Sequence, residues 1–97
     1  MKFKELVTSD QRLVILRTLF DSPGYEANES ILDTALDLLG HNISRDAVKT
    51  HMAWLEEQGL ITIREAFSTQ VATLTQRGED VATGQAIVPG VKRPRAR

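Results

Sequence analysis

The period of the sequence changes at Gly59, and that change constrains the fold more than any other feature. Before it, Val48, Met52 and Leu55 recur at i, i+4 and i+7, the spacing that lays one apolar stripe along a helix. Ser44 is placed to cap this helix, expected over residues 45–58, and Gly59 to stop it. After it, Leu60-Ile61-Thr62-Ile63-Arg64 and Gln70-Val71-Ala72-Thr73-Leu74 are rich in β-branched residues and read as two strands. The intervening Glu65 to Gln70 is the expected hairpin loop.

Helical signals flank this unit. Thr8 and Gln11 have capping-box spacing ahead of Leu13, Val14, Ile15, Leu16, Leu19 and Phe20, predicting a helix from about Ser9 to Phe20. Residues 1–7, with Phe3, Leu6 and Val7, are either a short helix or an arm against a partner. Asp21-Ser22-Pro23-Gly24 stops the first helix. Asn28 is a cap for a second, with Leu32, Ala35, Leu36 and Leu39 inward, Ile31 and Leu38 flanking, and Gly40 as its left-handed end. Thr75 caps a short fourth helix from Gln76 to about Thr83, with Val81 and Ala82 inward and Gly84 closing it. The expected fold is mainly α with a small β-hairpin: a three-helix core, a two-stranded flap and a short C-terminal helix. Residues 1–84 form the domain. Residues 85–97, with Pro89, Gly90, Pro94 and four bases but no periodicity, form a flexible basic tail.

Charge is unevenly spread. The net charge is -1, but Lys92, Arg93, Arg95 and Arg97 stand in a tail without acids, leaving residues 1–91 at -5. An acidic body weighs against nucleic-acid binding, where phosphate attraction supplies most affinity. The chain has no cysteine, hence no disulfide framework or thiolate site. Its apolar runs are too short to span a bilayer, and its start lacks a secretory signal, so a cytoplasmic location is expected.

The segment Ile43-Ser44-Arg45-Asp46-Ala47-Val48-Lys49-Thr50-His51-Met52-Ala53-Trp54-Leu55-Glu56-Glu57-Gln58-Gly59-Leu60-Ile61 resembles the recognition helix and first wing strand of bacterial winged helix-turn-helix DNA-binding regulators. Leu74-Thr75-Gln76-Arg77-Gly78 is similar to the Leu-Thr-x-x-Gly that ends their second wing strand and opens the last helix. The resemblance covers roughly Thr8 to Gly84. In size and layout the chain also resembles a small winged-helix protein of Mu-like phages. The resemblance implies a DNA-binding protein, a transcriptional regulator or a phage DNA-handling accessory protein, with a helix in the major groove of double-stranded DNA, flanked by the wing.

On that reading Ser44, Arg45, Lys49, Thr50 and Ala53 face the groove, with Arg45 suited to guanine and Lys49 to phosphate or base. Arg64, Ser68, Thr69 and Gln70 touch the flank, and Lys92, Arg93, Arg95 and Arg97 add phosphate contacts. The bland alternative is a solvated helix face and a solubilising tail, and Asp46, Glu56, Glu57 and Glu65 favour it. Phe67 either folds back on the hairpin or meets a protein partner. Trp54, beside Ala47, His51 and Gln58, is expected to cover the core edge. A homodimer through Phe3, Leu6, Val7 and Leu13 is expected, since one small reading head gives limited specificity. His41 and His51 share no helix face and have no third ligand nearby, and no nucleophile turn or phosphate loop occurs. Neither an enzyme, a metal site nor a cofactor is expected. The competing class is a phage assembly or packaging adaptor that binds protein through the same scaffold. Charge beside the third helix discriminates: positive for DNA, negative or apolar for an adaptor.

Overall fold

A computed structural model describes residues 2–95. It contains four α-helices and a three-stranded antiparallel sheet: α1 (Phe3–Asp21), β1 (Glu26–Asn28), α2 (Glu29–Leu38), α3 (Arg45–Glu57), β2 (Ile61–Ala66), β3 (Thr69–Leu74) and α4 (Gln76–Ala82). A single 3-10 turn, Pro23–Tyr25, links α1 to β1. The strands lie in the order β1-β3-β2.

Helix α1 is the axis of the molecule. Leu13, Val14, Ile15 and Leu16 are buried in succession, so α1 is covered on several sides instead of along one stripe. Leu32 and Leu36 of α2, Val48, Met52 and Leu55 of α3, and Val81 and Ala82 of α4 join it in one core. The sheet closes the core with one face. Ile61 pairs with Leu74, and Ile63 and Ala27 both flank Ala72, so these residues point inward while Glu26, Thr62, Arg64, Val71 and Thr73 point out.

Three caps expected from the sequence are present. The side chains of Asn28, Ser44 and Thr75 accept hydrogen bonds from the backbone N–H of Ile31, Ala47 and Gly78. Helix α3 has the expected extent and buried stripe. At its exit Gly59 takes φ +76°, and the Leu60 carbonyl accepts the Thr75 N–H at 3.1 Å, tying the start of α4 to the start of β2.

Five expectations are corrected. Helix α1 begins at Phe3, not Ser9, so Thr8 lies within it, and Gln11 serves His51 instead of a capping box. The hairpin loop is two residues, Phe67 and Ser68, because pairing runs to Ala66↔Thr69. A third strand, β1, joins the hairpin on its β3 edge. Leu39 falls just past the end of α2 and is exposed. Residues 85–95 are packed: Val88 and Val91 are buried, and Lys92 N–H donates to the Ser9 carbonyl at 3.1 Å. These two valines supply apolar burial three residues apart, which a reading from prolines, glycine and charge passes over.

Candidate interaction face

Helical spacing divides the surface of α3 into three strips. Asp46, Thr50, Ala53 and Glu57 are exposed on the outward strip, with an acid near each end and small residues between. On one flank are Arg45, Lys49 and Glu56. On the other are Trp54 and His51.

The flank carrying Arg45 and Lys49 meets α2 and the sheet. Arg45 Nε lies 3.4 Å from Asp33 Oδ2, and Lys49 Nζ lies 3.9 Å from Glu29 Oε2. Glu29 is buried; its other oxygen accepts the Gln70 N–H at 2.8 Å, joining α2 to β3. The adjacent Glu26 accepts from Arg64 at 3.0 Å and from the Thr73 hydroxyl at 3.0 Å. The Arg64 hydrogen bond and then the Thr73 one hold the Glu26 carboxyl below its usual pKa. Glu56 Oε2 accepts the Ile63 N–H at 2.8 Å, fixing β2 against α3.

Each cation expected to meet phosphate on this face therefore already has a carboxylate partner: Arg45 with Asp33, Lys49 with Glu29, Arg64 with Glu26. The exposed pairs Arg45–Asp33 and Arg64–Glu26 add little stability of their own. Their main consequence is electrostatic. Residues 26–65, which span the face, hold eight acids and three bases, a net charge of -5. Sequence reasoning assigns Glu29 only to the positive end of the second helix and passes over Glu26 and Asp33. The spacing of Glu29 and Asp33, four apart at the start of α2, was the available signal that both share one helix face.

The other expected site residues are dispersed. Ser44 caps α3, and the Thr50 hydroxyl donates to the Asp46 carbonyl at 3.1 Å. Ser68 occupies the hairpin turn, Thr69 begins β3, and Gln70 Oε1 is buried without a hydrogen-bond partner. Ala53 is exposed. Lys92 Nζ lies 3.5 Å from Asp10 of α1, so the C-terminal segment is tied to α1 and not to the outward strip of α3. Arg93 and Arg95 are exposed, and Arg97 lies outside the described residues. Phe67 does not fold back: it is fully exposed at the hairpin tip. Of the expected dimer residues, Phe3 and Leu6 are exposed and Val7 half-buried, but Leu13 belongs to the core.

The opposite flank of α3 holds a cluster that sequence reasoning treated only as core edge. Arg12 Nε donates to His51 Nδ1 at 3.4 Å, and Arg12 NH1 donates to the Gly90 carbonyl at 3.1 Å. With Nδ1 accepting, the His51 ring proton sits on Nε2, which donates to Gln11 Oε1 at 2.8 Å. Burial, then the positive charge of Arg12, then His41 push the His51 pKa down to about 4. His41 itself bonds Asp10 Oδ2 through Nε2 at 2.6 Å. No group of three or more His, Asp or Glu suited to a metal ion occurs among the described residues, and no described helix is long and apolar enough to cross a membrane.

Over 93 residues the chain is 55% identical to "Uncharacterized protein gp26" of Escherichia phage Mu, covering 96% of each chain. Over 78 residues it is 62% identical to an uncharacterized protein of Haemophilus influenzae, covering 79% of this chain and 76% of the relative. No protein-family model matches the chain, and no solved structure matches it.

Proposed function

We propose, from the premise that the chain belongs to the family of the phage Mu protein gp26, that it is a protein-interaction module on a winged-helix scaffold, with α3 and the hairpin receiving a basic partner. The order α1, β1, α2, α3, β2, β3, with the hairpin directly after α3, supports the scaffold. The observation that carries the function is the matching of all three cations on the face by Asp33, Glu29 and Glu26, with Asp46 and Glu57 left outward. A phosphate backbone approaching this face meets net negative charge, whereas a lysine- or arginine-rich segment meets a complementary one. The role is read as binding: both His51 ring nitrogens and His41 Nε2 are taken up in hydrogen bonds within the chain, and the outward strip of α3 is left as the surface on offer.

A second reading, a double-stranded-DNA binder, rests on one observation. Thr50 and Ala53 are small and exposed, which lets the α3 backbone approach a groove closely, and the Arg45 and Lys49 pairs are long enough to exchange for phosphate. Fluorescence titrations at rising salt, with a lysine-rich peptide and separately with mixed-sequence duplex DNA, discriminate the two. The adaptor reading expects salt-sensitive peptide binding that is lost in the Asp46→Lys/Glu57→Lys double variant, and no DNA binding at low salt. DNA binding weakened by Arg45→Ala and Lys49→Ala would replace it with the second reading.

A further inference from the structure

The hairpin turn is built unusually. Phe67 and Ser68 adopt φ of +51° and +65°, the left-handed region that two-residue hairpin turns fill with asparagine or glycine. A bulky aromatic is disfavoured there. The same Phe67 is fully exposed, so neither local geometry nor packing within the chain accounts for it. Beside it Glu65 is exposed and takes part in no ion pair among the described residues.

Elsewhere on the molecule, α1, α4 and the C-terminal segment enclose a groove. Phe20, Ala82 and Pro94 give it an apolar lining, and Arg17 and Arg95 line it with positive charge, with Asp21 as the acid among them. Its chemistry complements the tip: an aromatic side chain with a nearby carboxylate meets an apolar trough with two guanidinium groups. The groove includes the end of α4, whereas the tip lies at the far end of the hairpin from the β3–α4 junction. The whole-chain charge is divided the same way. Residues 26–65 carry a net charge of -5, and the remainder, with nine bases and five acids, a net charge of +4.

We propose that the chain self-associates head to tail, the Phe67 tip of one copy seated in the Arg17–Phe20–Pro94–Arg95 groove of the next. The contact is heterologous, two different patches meeting, so it extends into a ring or filament instead of stopping at a two-fold dimer. It shares the hairpin with the face proposed above for a basic partner, but uses the tip and not the outward strip of α3.

Sedimentation of the full chain at up to about 1 mM, at low and high salt, tests this. The expected result is a weight-average mass above the 10.8 kDa monomer at low salt, falling toward it at high salt. Two variants each disable one side: Phe67→Asn, which also suits the turn, and the double change Arg17→Glu/Arg95→Glu. Each alone is expected to sediment as a monomer, with circular dichroism unchanged. Mixed together they are expected to form a 1:1 pair and nothing larger, because one intact tip and one intact groove remain. A monomeric parent chain at every concentration, association that survives either variant, or a mixture that does not pair would each overturn the proposal.

Discussion

The Arg12 guanidinium lies over the Trp54 ring, its central carbon 3.8 Å from the ring centroid, while the same side chain reaches His51 and the Gly90 carbonyl. One cation thus joins α1, α3 and the C-terminal segment. Gly90 lies close against both the ring and the guanidinium: a Cβ there would sit 2.8 Å from the Trp54 Cζ2 and Cη2 atoms and 3.1 Å from Arg12 NH1, and its φ is +99°. Gly90→Ala is therefore expected to loosen residues 88–92, read as faster amide exchange at Lys92 with α3 still protected.

Stability is expected to fall on acidification through this cluster. The unfolded chain binds a proton at His51 near pH 6.5, and the folded chain only near about 4. Between those values the unfolded state holds more protons, so the contribution is complete above pH 6.5 and is lost as pH falls to about 4. Urea midpoints measured from pH 7.5 to 4 are expected to drop for the parent chain and to drop less for His51→Gln.

At Gly78 the start of α4 lies against the β2–β3 base. A Cβ there would overlap the Leu60 carbonyl and come within 2.7 Å of Leu74 Cδ1. Gly78→Ala is expected to destabilise by about 1–3 kcal/mol despite alanine's better helix propensity, measured by urea unfolding.

Removing Glu29 is expected to cost about 2 kcal/mol in the same assay, because the Gln70 N–H loses its acceptor in a site where Glu29 is only 4% exposed. Glu29→Gln retains an acceptor oxygen and is expected to lose less.

At the hairpin tip, Phe67→Asn is expected to raise monomer stability by about 1 kcal/mol, since asparagine tolerates the left-handed turn and no buried contact is given up.

The parts of the fold legible in the sequence were those with a local physical cause. Ser44, Asn28 and Thr75 cap helices through their own side chains, and Val48, Met52 and Leu55 repeat at helical spacing, so short windows contain the information. What escaped depends on distant partners. Strand β1 is three residues whose identity as a strand comes from pairing with β3, more than forty positions on. Gln11 has the spacing of a capping-box member, yet its partner is His51. The face beside α3 was legible in position but not in charge, because Arg45, Lys49 and Arg64 are answered by carboxylates from α2 and β1, whose placement only the tertiary fold provides.

The hydrogen bond from Lys92 to Ser9 has a bearing on how the protein is made. Synthesis delivers the first helix early, but Val88, Val91 and Lys92, which finish covering it, lie some eighty positions further on. A chain halted short of Val88 therefore retains an open flank along α1.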